Sequence, residues 1–183
     1  IELGKIARSS RRFEMDEETD ADLDYLEGKG TSLGGARPKC TVLNENGRLA
    51  IGKFASVNDE RSVVKGEILG LDLARAAGLT AATVNVAVID RFDRTSTGRR
   101  IPYWSMATFL QSTEDGYPPP CYTELNERLY LQADSPDKTT AKEIVGRLLL
   151  NYLINNTDDH GRNTGLLMRN NGVWVLSPAF DIN

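Results

Sequence analysis

The sequence predicts an α+β fold in which a small antiparallel sheet and one helix precede a more helical part that ends in a β-hairpin. Three observations carry this expectation. Gly-containing turn signals join two pairs of strand-like runs, "TVLN" with "RLAIGKFA" and "TGLLM" with "VWVL". Two longer stretches space their apolar residues at helical intervals. A polar run, "INNTDDHGRNTG" (154–165), separates the second of these helices from the last hairpin.

Along the chain, residues 1–30 are rich in Glu and Asp with scattered apolar positions (Leu3, Ile6, Phe13, Leu23, Tyr25, Leu26), and read as a helical or partly ordered lead-in. "GTSLGGARPKC" (30–40) is a Gly-rich turn signal before the first hairpin, whose strands are joined by "ENG". In the next stretch Val63, Val64, Ile68, Leu71 and Ala74 share a helical face, and Gly78 is placed to stop that helix. "TVNVAVIDRFDR" (83–94) begins with β-branched residues and reads as one strand, and "PPP" (118–120) is a hard break. Ile144, Val145, Leu148, Leu149, Tyr152 and Leu153 predict a helix buried on a broad face, and Trp174 reads as core.

The bulk properties exclude several classes. The 183 residues suffice for one ordinary domain or two small lobes. A net charge of −4 argues against a general nucleic-acid-binding surface. No apolar run approaches the ~20 residues of a membrane helix, and the N-terminus has no signal-peptide core. Cys40 and Cys121 share no metal-ligand spacing and read as free thiols of a reducing cytoplasm. The chain opens without Met and stops at "SPAFDIN", which reads as a fragment that is by itself a poor catalyst.

The polar loop carries the chemistry. Asp158 and Asn163 stand in the spacing D-x-x-x-x-N, and Asp181 follows at the end of the hairpin. That order suits phosphoryl transfer to a hydroxyl: one carboxylate takes the proton of the nucleophile, while an amide oxygen and a second carboxylate hold Mg²⁺. Each residue alone is equally at home as a turn-forming side chain. The N-terminal half supplies the complement. "SLGGARPK" (32–39) brings backbone N–H groups towards phosphates without being a Walker A motif. Lys53 in the strand "AIGKFA" suits ATP phosphates, and Glu67 on the following helix suits Lys53. Glycine loop, strand lysine, helix glutamate, D-x-x-x-x-N and late Asp therefore occur in kinase order. They predict a two-lobed protein-kinase-like fold, incomplete here, divided into an acidic lead-in (1–30), a nucleotide-binding part (31–94) and a part with the catalytic loop (95–183).

"SLGGARPK", "RFDR" and "NNTDDHGRN…SPAFDI" resemble the signatures of the HipA family, serine/threonine protein kinases that act as toxins of bacterial toxin–antitoxin pairs. The resemblance runs from about Ser32 to Ile182. It implies Asp158 as catalytic base, Asn163 and Asp181 as Mg²⁺ ligands, and Lys53 on the ATP phosphates. Gly34, Gly35, Ala36, Arg37, Pro38 and Lys39 would form the phosphate-side loop. The backbone of Asp90, Arg91 and Phe92 would meet the adenine, with Asp93 and His160 beside the nucleotide. Ser32 would be a regulatory autophosphorylation site. The family further implies translation proteins as substrates, aminoacyl-tRNA synthetases among them, and a DNA-binding antitoxin as partner. The family usually carries a short hairpin before "RFDR", where this sequence shows only "NVAVID". Arg91 and Arg94 read as salt-bridge partners. Two other functions compete: a non-catalytic nucleotide-binding pseudokinase acting through an antitoxin, and a metal-dependent phosphohydrolase using Asp158, Asp159, His160 and Asp181.

Overall fold

The structure is a computed structural model. It describes residues 3–27, 39–44, 46–60, 62–82, 84–85 (backbone only), 88–113, 118–132, 139–170 and 172–182. The chain divides into two compact units, residues 1–68 with 83–91 and residues 69–82 with 92–183.

The first unit is a four-stranded antiparallel sheet with two N-terminal helices, α1 (Leu3–Glu14) and α2 (Asp20–Leu26). Its strands are β1 (Lys39–Leu43), β2 (Leu49–Lys53), β3 (Val84–Asn85) and β4 (Val88–Asp90), in the order β1-β2-β4-β3. The predicted hairpin is present, pairing Lys39 with Lys53 and Leu43 with Leu49. Asn44 builds its turn: the Asn44 carboxamide oxygen accepts from the amides of Asn46 and Arg48, and Gly47 takes the left-handed conformation at φ +69°. Side chains alternate across the strands, so Cys40, Val42 and Ala50 turn one face inward, where they pack with Ile6 of α1. Gly52 keeps this layer thin, since a Cβ there would lie 3.2 Å from the Cys40 sulfur and 3.4 Å from Leu3. The described residues of the lead-in thus form two helices built into the unit. The stretch 83–94 is not the single strand that its β-branched start predicts. Val84 pairs back on Ile89 and Asn85 on Val88, which makes a short hairpin of β3 and β4 directly before "RFDR". Each arm is too short for a two-residue hydrophobic period to reveal the reversal.

The second unit holds the C-terminal half of α3 (Val63–Ala76), which starts within the first unit. As predicted, α3 buries Val63, Leu71 and Ala74. It closes with Gly78 at φ +79°, the amides of Gly78 and Leu79 bonding back to Arg75 and Ala74. Then follow β5 (Tyr103–Ser105), α4 (Met106–Phe109), α5 (Tyr122–Gln132), α6 (Thr139–Leu153), β6 (Gly165–Met168) and β7 (Trp174–Leu176). The predicted C-terminal hairpin gains a third strand, giving an antiparallel sheet β5-β6-β7. Its core joins Met106, Phe109, Leu125, Ile144, Leu166 and Trp174, and Trp104 stacks on Trp174 with ring centroids 4.4 Å apart.

One expectation for α6 is corrected. Of the six residues assigned to its buried face, only Ile144 is buried, and its partners there are Arg147 and Leu150. Val145, Leu148, Leu149, Tyr152 and Leu153 are exposed. Helical spacing marks two apolar stripes on this helix, and burial selects the one that carries the arginine.

A polar clasp ties α1 to α2. The Asp22 carboxylate accepts from Ser9 Oγ at 2.6 Å, Thr19 Oγ1 at 2.8 Å, the Thr19 amide at 3.1 Å and Arg12 at 3.2 Å. Thr19 in return caps α2 in a capping box with Asp22. These donors, Ser9 first and then Thr19, hold the Asp22 carboxyl well below the usual carboxylate range, and burial opposes them without prevailing. Because the folded state favours the ionised form, the clasp stabilises fully above roughly pH 4 and is lost as the pH falls below the usual carboxylate range. Asp22→Asn should therefore lower the melting temperature at pH 7 and flatten its fall between pH 4 and pH 2, read by circular dichroism. An unchanged acid slope would remove Asp22 from the acid response.

Candidate active site

The polar loop begins where α6 is made to stop. Asn155 adopts φ +56°, its amide bonds back to the Tyr152 carbonyl, and the Asn156 amide reaches the Asn151 carbonyl at 2.8 Å. This is a helix-ending motif in which Asn replaces the usual Gly. The Asn156 side chain then accepts from the Asp158 amide at 3.1 Å, so the first two asparagines set the direction in which the loop leaves the helix.

From there the loop closes on itself. The amides of His160 (3.0 Å) and the Asn163 side chain (2.8 Å) both donate to the Asp158 carbonyl, and the Asn163 amide donates to the His160 carbonyl at 2.8 Å. Because Asn163 spends its NH₂ group on a carbonyl, the network assigns its oxygen, a hard donor, to the other side. Asn163 and Asp181 line one cleft of this unit, together with Tyr122, Asp159, Thr164 and Phe180. Asp158 and His160 lie outside that lining, with side chains 68% and 53% exposed and 3.9 Å between Oδ1 and Nε2. The loop thus presents an exposed carboxylate at Asp158, while Asn163 shares a cleft with the carboxylates of Asp159 and Asp181. That oxygen-only set fits Mg²⁺, which takes few protein ligands and keeps several waters.

Backbone groups from α4 hold the loop in place. The first amides of that helix lack intrahelical partners, and Met106 and Ala107 donate to the carbonyls of Thr164 (2.8 Å) and Gly161 (3.0 Å). Pro120, the last of the three prolines, packs against Gly161 so closely that a Cβ there would sit 2.5 Å from the proline ring.

Asp181 is positioned by different means. The Ser177 amide donates to Gly165, the Ala179 amide to Thr80, and the Ala82 amide back to Ala179. Arg147 of α6, almost fully buried, donates to the Ser177 carbonyl at 2.7 Å while paired with Glu143 at 2.9 Å. Beyond the aspartate, α3 comes so near that a Cβ on Gly70 would lie 2.7 Å from the Ile182 carbonyl oxygen. Asp181 itself has φ +57°, a conformation that Asp tolerates better than most residues and that clusters at functional positions. Phe180 packs on Phe92 with centroids 5.4 Å apart. The Tyr103 phenol is pushed up to about 12 by burial of its ring and then by the charges of Asp93 and Asp181.

In the first unit, Lys53 is not the solvent-facing lysine that a strand position usually supplies. Its ammonium meets the Glu67 carboxylate at 2.6 Å, with Glu67 3% exposed. Asp90 accepts from Asn44 at 2.8 Å, and the Arg91 amide is engaged by the Leu49 carbonyl at 3.0 Å. Asp93 pairs with adjacent Arg94 at 2.9 Å. Lys39 opens β1, whereas Ser32 and Gly34 to Pro38 lie outside the described residues.

A strand lysine paired with a helix glutamate, with a D-x-x-x-x-N loop and a late aspartate downstream, defines a protein-kinase-like fold. Residues 31–183 match the family of HipA-like C-terminal domains, and the chain belongs to that family. Among solved structures it is similar to HipA of Shewanella oneidensis MR-1, determined in complex with HipB and its operator DNA. That match has 19% identity and a TM-score of 0.54, covering 85% of this chain and 44% of HipA. It is also similar to the proinflammatory kinase CtkA of Helicobacter pylori, with 16% identity and a TM-score of 0.57, covering 79% of this chain and 54% of CtkA. The chain thus spans about half the length of these proteins. No curated protein matches it.

Sequence reasoning missed Tyr122, Thr164, Glu143 and Arg147. For Arg147 there was a signal, a lone cation among apolar residues in "GRLLL". The structure also separates two classes of glycine. Gly161→Ala should cost about 1–3 kcal/mol, because its Cβ must displace Pro120. Gly66→Ala on α3, where nothing lies within 4 Å of the new Cβ, should instead stabilise by up to about 1 kcal/mol. Urea unfolding of the two variants checks the contrast, and equal shifts would contradict it.

Proposed function

We propose that this chain is the nucleotide-binding and catalytic part of an ATP- and Mg²⁺-dependent serine/threonine protein kinase of the HipA type. The observation that carries this reading is the loop in which Asn163 turns its NH₂ group to the Asp158 carbonyl and lines a cleft with Asp181, leaving the Asp158 carboxylate in solvent. Asn163 and Asp181 would hold Mg²⁺. When bound, the metal neutralises phosphate charge.

The chain's own residues account for the rest. Asp158 accepts the proton of a serine or threonine hydroxyl as its oxygen attacks the γ-phosphorus; the bond to the β-phosphate oxygen breaks and ADP leaves. Lys53, held by Glu67, binds the phosphates of ATP. Lys39 and the loop from Gly34 to Pro38 would lie on the phosphate side. The strip from Asp90 to Phe92 would take the adenine, with Asp93 and His160 beside the nucleotide. Phosphate on Ser32 would add about −1.5 to −2 charges near the ATP phosphates and weaken ATP binding. A DNA-binding antitoxin is the proposed partner, supported by the likeness to HipA, which was solved with HipB and operator DNA. Protein substrates of the translation apparatus and a cytoplasmic setting complete the proposal. Among the described residues no helix is long and apolar enough to cross a membrane.

Asp158→Asn should reduce phosphotransfer by roughly 10²–10⁴-fold with ATP binding retained, measured by radiolabel transfer and calorimetry. Near-full turnover would move the base elsewhere. Asn163→Ala and Asp181→Ala should weaken ATP binding when Mg²⁺ is present and leave it unchanged in EDTA. An equal loss in both conditions would identify a folding defect instead.

A further inference from the structure

The proposed chemistry uses the first and last residues of D-x-x-x-x-N and leaves Asp159 unassigned. Asp159 lines the cleft, and each of its carboxylate oxygens stands 3.0 Å from the Tyr122 hydroxyl. That hydroxyl also lies 2.9 Å from Thr164 Oγ1. A phenol has one proton, so the consistent arrangement has Tyr122 donating to Asp159 and Thr164 donating to Tyr122. Tyr122 opens α5, whose Leu125 and Leu129 are anchored in the core. Thr164 is 4% exposed, and its carbonyl is held by the Met106 amide. The contact therefore links a fixed helix to both flanks of the loop, one residue after Asp158 and one residue after Asn163.

We propose that Tyr122 is a positioning residue of the reaction. By holding the Asp159 carboxylate and Thr164 together, it fixes the span of the 158–163 loop and keeps Asn163 at the cleft that Asp181 also lines. Burial pushes the Tyr122 phenol up to about 12, so it remains a donor through the physiological range. A phenol on a core helix suits this task, because it reaches the loop without adding a charge to the cleft. The loop-holding part stands on the hydrogen bonds alone, and its consequence for Mg²⁺ rests on the kinase reading above.

The test compares the wild-type chain with Tyr122→Phe, Asp159→Ala and the double variant. Three quantities are measured: amide hydrogen exchange of residues 156–165 in free protein, melting temperature, and calorimetric affinity for a non-hydrolysable ATP analogue with and without Mg²⁺. Tyr122→Phe should speed exchange at His160 and Asn163 at least about tenfold and weaken Mg²⁺-dependent affinity roughly 10–100-fold. Its Mg²⁺-free affinity and melting temperature should stay near wild type, and the double variant should be no worse than the more affected single variant. Unchanged loop exchange in Tyr122→Phe overturns the proposal, as does an equal loss of affinity with and without Mg²⁺. Loss of Mg²⁺-dependent binding in Asp159→Ala alone also overturns it and makes Asp159 a metal ligand. A wild-type chain without Mg²⁺-dependent binding, but with a loop loosened by Tyr122→Phe, refutes the kinase reading and leaves the loop-holding role standing. If Tyr122→Phe does not fold, Thr164→Val removes the opposite hydroxyl and is expected to loosen the same amides, with Thr164→Ser restoring them.

Discussion

The candidate site of the second unit is organised around the hydrogen bond from the Asn163 side chain to the Asp158 carbonyl. It closes a six-residue loop and makes one amide do two things. Its nitrogen fixes the backbone beside the exposed carboxylate, and its oxygen is thereby held away from that carbonyl. Without that bond the amide could flip, and the oxygen set formed with Asp181 would depend on a freely rotating side chain. A site that works by charge placement gains from this kind of preorganisation, because its groups need no reorganisation when a ligand arrives.

Much of the surrounding structure keeps that loop from relaxing. Its backbone carbonyls are taken by the free amides of a four-residue helix, its glycine is pressed on Pro120, and its flanks meet Tyr122. Asp181 arrives by an independent route, clamped upstream through Arg147 and Ser177 and flanked downstream by Gly70. Its left-handed backbone is sustained because the chain is held on both sides. The Arg147–Glu143 pair is nearly buried, and it is useful less as stabilisation than as a guide. The same guanidinium also donates to the Ser177 carbonyl, on the segment leading to Asp181, and an apolar residue of equal size would take that donor away.

The first unit applies the same logic to a cation. Lys53 ends a strand and Glu67 lies within a helix, fourteen residues apart, and burial of the carboxylate turns a common surface pair into a fixed one. Such a pair costs desolvation, and in return it gives the lysine one fixed orientation.

Several elements were legible in the sequence for local reasons. The hairpins announced themselves through Asn-Gly and Gly turns, α3 through its spacing and the glycine that stops it, and the candidate groups through the chain order of Lys53, Glu67, Asp158, Asn163 and Asp181. These signals lie within a few residues or in chain order, so a one-dimensional pattern can carry them. Packing between distant segments decided the rest. Residues 84–85 and 88–90 form two short strands because β4 pairs with both β2 and β3. The buried stripe of α6 is the one containing Arg147, because the carbonyls of Thr80 and Ser177 lie there to receive it. Tyr122 and Asp159 are 37 positions apart and become partners only when α5 and the loop share a core. The sequence by itself determined which candidate groups the chain carries, since that depends on residue type and order. Only the tertiary structure decided which of them are held, and in which direction they point, because orientation is fixed by hydrogen bonds to residues far away along the chain.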